Sequence, residues 1–267
     1  MNELSRSDAL IDAQIEIVSI HVPKTAGTTF RKILEQVYKP ECILLDYPGE
    51  KRKRIQKEFQ RRKDKIKVIH GHFGANKYRH YISAKRIIWI RDPIHRLLSH
   101  YFFWKNMPVE KMNHPEHRFF VENNLSIIEF ASLSSIQNFT LKFMNNLRIE
   151  DFYFVGVQEF FQEDIAELKT YLNWADFEVE YVNTNPAPAY QELLSEVLTN
   201  SSIIDRITQL NSEDIKLYQN ALIFREKRRH EYNIYCNNSS EIKLQRMKAA
   251  IEEYKFRLHQ IKVEIQQ

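Results

Sequence analysis

IEIVSIHVPKTAGTTFRKILEQVY, residues 15–38, is the stretch on which the fold turns. Its first seven residues, apolar at Ile15, Ile17 and Ile20 and ending at His21, read as a short buried strand. Pro23 breaks that run, and Phe30, Ile33, Leu34 and Val37 then recur at helical spacing, with Thr28 or Thr29 as the expected cap. Between a strand and a helix, backbone N–H groups and the helix dipole converge on an anion. Lys24 adds a mobile positive charge beside two hydroxyls, and Gly27 omits a side chain that would hold the backbone off a phosphate. The same residues also suit a tight turn whose threonines only cap the helix. A nucleotide-triphosphatase loop is a poor match, because here the lysine precedes the glycine.

Outward from this stretch, residues 66–70, 86–90 and 153–157 read as further short strands, too uniformly apolar for a sheet with one wet face. Helical spacing predicts helices over 92–104, 162–174, 193–198 and 214–229, with a loop at 183–188. Strands alternating with helices give an α/β fold: a P-loop-like central parallel sheet flanked by helices. The expected division is one domain over 1–235 and a helical tail over 236–267. In that tail Met247, Ile251, Tyr254, Leu258, Ile261 and Ile265 alternate four and three apart. Such an amphipathic helix packs on its own domain or forms a homodimer as a coiled coil.

The 267 residues are 43% apolar, enough for one sizeable core, and five glycines with eight prolines argue against collagen-like or linker-rich chains. The net charge of +4 hides a local excess, for residues 51–67 hold ten basic side chains against two acidic ones. That stretch is either a solvated helix face or an attractor of an acidic partner. With two cysteines, no long apolar run and a polar start, the expectation is a cytoplasmic chain with no membrane span; the alternative is a luminal catalytic fragment of a Golgi enzyme.

Two more stretches carry chemistry. His70 and His72 flank Gly71 at the end of a predicted strand, where ligand crevices of parallel sheets lie. A metal site there lacks further ligands at suitable spacing, so none is expected. Arg91 closes another strand, and Ser99 lies two helical turns beyond it, so that both reach a single phosphate. Asp92 reads as the cap of that helix, His95, Arg96 and His100 as packing or surface groups, the aromatic run 101–104 as core, and residues 114–117 as a polar loop. A second basic cluster, Arg225, Lys227, Arg228 and Arg229, is placed to close over a bound anion or to end a helix.

With PKTAGTT at 23–29, HGHF at 70–73 and RDPIHRLLSHY at 91–101, the chain resembles the PAPS-dependent carbohydrate sulfotransferases, most of all the group containing heparan sulfate 2-O-sulfotransferase. Weaker likeness continues through 155–161 and 211–221. The resemblance implies binding of 3'-phosphoadenosine 5'-phosphosulfate (PAPS) and release of adenosine 3',5'-bisphosphate (PAP), with no metal. It implies that Pro23, Lys24, Thr25, Ala26, Gly27, Thr28 and Thr29 form the 5'-phosphosulfate loop and that Arg91 and Ser99 bind the 3'-phosphate. It further implies catalysis by Lys24 and by His72 as general base, with His70 as its neighbour or substitute. The expected acceptor is a hydroxyl, on a glycan that is acidic if residues 51–67 bind it, and not nucleic acid. A nucleotide kinase or triphosphatase, and a non-catalytic anion- or glycan-binding module, are the competing functions.

Overall fold

The computed structural model describes residues 15–48, 52–112, 114–180 and 188–236. Five parallel strands form one sheet in the order β2-β3-β1-β4-β5: β1 Ile17–Ile20, β2 Ile43–Asp46, β3 Val68–Gly71, β4 Lys85–Ile90 and β5 Phe154–Val157. Four of these were legible as apolar runs. Strand β2, ILLD, was not, since it stands directly after a short 3-10 turn.

Side chains alternate across a strand, and here both faces are covered. On one face Ile17, Val68, Ile87, Trp89 and Phe154 meet α1 (Gly27–Tyr38) and α7 (Phe161–Tyr171) through Phe30, Ile33, Leu34, Ile165 and Leu168. On the other, Val18, Ile20, Ile69, Ile88 and Val155 are covered by α2 (Arg52–Arg62), through Ile55 and Phe59, and by α10 (Ser212–Cys236), through Tyr218, Ala221 and Leu222. Helix α3, Pro93–Asn106, starts where Asp92 accepts the backbone N–H of His95 and leads into a helical cluster. There Leu97, Leu98, Tyr101 and Trp104 pack against Phe120 of α4 (Pro115–Glu122) and Phe130 of α5 (Ile127–Ser132). Val197 of α8 (Pro188–Thr199) and Ile207 of α9 (Ser201–Leu210) complete that cluster, and α6 (Phe139–Met144) lies between it and α10.

Three expectations are corrected. Helix α1 begins at Gly27 with Ala26 as its cap and no side-chain capping bond, so neither Thr28 nor Thr29 caps it. Residues 114–117 are the start of α4 and not a loop: His114 caps it, and His117 is fully buried with its ring bonded to the carbonyl of Trp104. The cluster near 225–229 does not reach over an anion. Arg225 pairs with Asp164 at 2.6 Å, Arg228 with Glu167 at 2.9 Å and with the carbonyl of Val155, and Arg229 with Glu167. Arg96 and His100 are helix-packing groups, both buried, with Arg96 against the ring of Phe139. The predicted loop at 183–188, apart from Pro188, and the terminal seam lie outside the described residues.

Asp164 has no exposed surface, and besides its guanidinium partners it accepts the backbone N–H of Val157. Removing one member of such a buried set strands the charges that remain. Asp164→Ala is expected to lower stability in urea unfolding by about 3–5 kcal/mol, whereas the double change Asp164→Leu with Arg225→Met costs clearly less.

Candidate active site

Parallel register places Ile20 of β1 beside Gly71 of β3 and Ile88 of β4, so the residues that follow these strands emerge at one edge of the sheet. These are His21, His72 and Arg91. Chain connections leave β1 toward β2 and leave β4 toward β5, in opposite directions, and such a divergence opens a crevice outside the carboxyl ends of the strands. A cavity of about 680 Å³ occupies it, within the range of small-molecule sites.

The loop after β1 turns through left-handed backbone at Lys24 (φ 72°) and Ala26 (φ 65°), each costing about 1–2 kcal/mol for a residue with a side chain. Three bonds hold it. Thr25 Oγ1 donates to the carbonyl of Val22 at 2.8 Å, Phe30 N–H donates to the carbonyl of Ala26, and Arg91 Nη1 donates to the carbonyl of Lys24 at 3.4 Å. Pro23, Lys24, Ala26, Gly27, Thr28 and Thr29 line the cavity, while Thr25 is fully buried and serves the turn. Because α1 lacks a side-chain cap, its first-turn N–H groups face an anion without a competitor from the cap. Gly27 is needed for a reason the sequence did not show: a Cβ there would overlap the ring of His21.

Arg91 and Ser99 line the same cavity, from the end of β4 and from α3. Lys24 Nζ sits 4.5 Å above the ring of Phe103. Burial, and secondarily Arg91, lower its pKa to about 8. The histidines form one cluster, with His21 and His72 edge to face at 4.5 Å between ring centroids and His21 stacked on His70 at 5.2 Å. Burial lowers His72 to about 4, so its ring is neutral at pH 7. His72 lines the cavity, whereas His70 is fully enclosed, does not line it, and bonds Ser19 Oγ through Nδ1 at 2.8 Å. His72 N–H is fixed by the carbonyl of Asp46, whose carboxylate holds Lys77 and Tyr78 of the following loop.

Residues not anticipated as site residues also line the cavity: His21, Phe103, Glu159 and Tyr190 among them. Glu159 ties the β4–α3 turn to α10, accepting from Asp92 N–H and from Tyr218 Oη. His21 closes the first strand directly before the loop, a position that signals proximity; Tyr190 follows a long sequence gap and no local pattern announces it. Arg91 Nε and Tyr190 Oη are shielded from solvent with no protein hydrogen-bond partner among the described residues. A buried polar atom without a partner is costly. No group of side chains able to hold a metal is found among the described residues, and none of their helices is long and apolar enough to cross a membrane.

A left-handed turn at the end of the central strand of a parallel sheet, braced by an arginine from the next strand, defines the P-loop-like α/β class, with a crevice suited to an anion. Within that class, the model of the sulfotransferase family matches residues 7–254, and the chain belongs to this family. It is therefore a sulfotransferase, using PAPS as sulfuryl donor, which sets the kinase, triphosphatase and non-catalytic readings aside. Among solved structures, mouse sulfotransferase SULT7A1 complexed with PAP is similar at 14% identity and a TM-score of 0.37, over 77% of this chain and 72% of that one. Comparison with curated proteins returns no match.

Gly27 and His21 are expected to be coupled through their contact. Gly27→Ala should cost about 1–3 kcal/mol in urea unfolding through overpacking, and His21→Ala in the same chain should recover most of that loss; additive effects would contradict the contact.

Proposed function

We propose that the protein transfers the sulfuryl group of PAPS to a hydroxyl on a glycan, as the heparan sulfate 2-O-sulfotransferase-like group does, with His72 as general base. The observation that carries this reading is that the loop at 23–29, His72, Arg91 and Ser99 line a single cavity although they come from three strand ends and a helix. The residues present suit PAPS: two separate cationic grips, Lys24 with the α1 N-terminus and Arg91 with Ser99, match a nucleotide anionic at both ends of its ribose.

PAPS, when bound, supplies a sulfuryl group activated by its bond to phosphate. Lys24 and the first-turn N–H groups of α1 hold negative charge at the 5' side, while Arg91 and Ser99 hold the 3'-phosphate. The imidazole of His72, neutral at working pH, takes the proton of the acceptor hydroxyl. Enclosure of His70 beneath His21 supports a positioning role for it, with His72 as the base. A glycan acceptor draws support from α2, where Ile55 and Phe59 face the core and Lys53, Arg54, Lys57 and Arg61 face solvent as a basic surface. That helix follows Tyr47, whose ring touches His72 at 4.7 Å, so the basic surface starts near the base and suits an acidic chain.

Transfer from sulfur-labelled PAPS to a panel of glycans tests the reading, and labelling of no hydroxyl acceptor would sink it. His72→Ala should lower kcat by about 10²–10⁴-fold, and Arg91→Ala should chiefly weaken PAP binding in calorimetry. The base works only above its pKa and Lys24 only while cationic, below its own. Hence kcat/KM should rise as pH passes about 4, level off, and fall above about 8, with the alkaline limb moved upward in Lys24→Arg.

A further inference from the structure

His21 stands between the two halves of the proposed chemistry. The edge of its ring formed by Cδ2 and Nε2 lies on Gly27, at the start of the helix that grips the donor, and its ring meets His72 edge to face. A sulfuryl group moving in line must pass between the oxygen it leaves and the oxygen it joins, which is between that helix start and the base. The side chain lines the cavity at 8% exposure. Burial first, and the neighbouring His70 and His72 next, drive its pKa down to about 2, so the ring is uncharged.

This neutral ring is held from behind by Tyr47. Nδ1 lies 3.0 Å from Tyr47 Oη. Tyr47 is itself half-buried, with the charge of Arg31 close enough to act on its phenol. A phenol that donates its proton to Nδ1 leaves the ring proton on Nε2, the edge beside Gly27.

On the basis of the proposed function, we infer that His21 is a contact for the transferring sulfuryl group, an uncharged Nε2–H donor whose tautomer is imposed by Tyr47. An uncharged donor fixed in place stabilises charge that develops in the transition state without reorganisation, and it leaves the base His72 free of a neighbouring cation.

PAP and PAPS differ at the sulfuryl end, so comparing their affinities isolates this contact. Calorimetry on the full chain should show PAPS binding weakened about ten-fold or more in His21→Ala, PAP binding changed less than two-fold, and part of the loss restored in His21→Gln, which keeps an N–H donor. Tyr47→Phe, which retains both rings, should weaken PAPS binding alone and convert the ¹⁵N imidazole signals of His21 from the Nε2–H form to a tautomer mixture. Equal losses for PAP and PAPS, or an unchanged tautomer in Tyr47→Phe, overturn the inference. Wild-type protein that binds neither nucleotide overturns the proposed function instead.

Discussion

The parallel pairing of β1 with β3 on one side and β4 on the other is the constraint on which this molecule depends. Ser19 stands opposite His70, and Ile20 opposite Gly71 and Ile88, so His21, His72 and Arg91 leave the sheet at one edge. A slip of one residue would exchange the faces of a strand, sending core side chains into the wrong layer and the functional ones into the core. Packing resists that slip, since both faces of β1 are buried and Ser19, the polar residue within it, is committed to Nδ1 of His70. Gly71 adds a steric key: a Cβ there would overlap the backbone carbonyl of Asp46 on β2, the group that orients His72. Stability and function thus rest on the same register.

Much of this was legible because the site is written as contiguous strand-end motifs. Where a strand runs straight into a loop, sequence neighbours stay neighbours in space, and so 23–29, 70–73 and 91–99 disclosed the cradle, the imidazoles and the arginine. The hidden parts depend on pairings at long range. Arg225 and Arg228 read as closing over an anion or ending a helix because nothing local announces that Asp164 and Glu167, some sixty residues earlier, are buried beneath them. The threonines at 28 and 29 read as caps because the local rule is sound, but the left-handed turn at Ala26 starts the helix earlier than that rule expects. Strand β2 was missed because it follows a 3-10 turn directly and its pairing with β3 is not written in its local pattern.

Local strain and local electrostatics point the same way. Lys24 and Ala26 occupy left-handed backbone, and the turn is braced by Thr25 from within and by Arg91 from the adjacent strand. Such strain persists only where surrounding contacts over-determine it, and here the bracing guanidinium belongs to the second anion grip. The two grips are thereby mechanically linked: the bond from Arg91 Nη1 to the Lys24 carbonyl spans the crevice between β1 and β4.

Burial lowers the pKa of Lys24 and of the imidazoles of this crevice alike, yet leaves the lysine above neutrality and the rings below it, and that difference bears on the chemistry. Lys24 and Arg91 face each other in partial burial, an arrangement that depresses the lysine and favours arrival of negative charge between them. The histidines respond to the same poor solvation by staying neutral, since three adjacent imidazolium ions would repel one another and lose hydration together. Positive charge is therefore kept to Lys24 and Arg91, the two groups proposed to hold phosphate, while the ring of His72, one strand away, is held neutral by burial. Under that division the proposed site is both reactive and loadable: an anion would satisfy the cations, and the neutral ring of His72 would keep a lone pair for the acceptor.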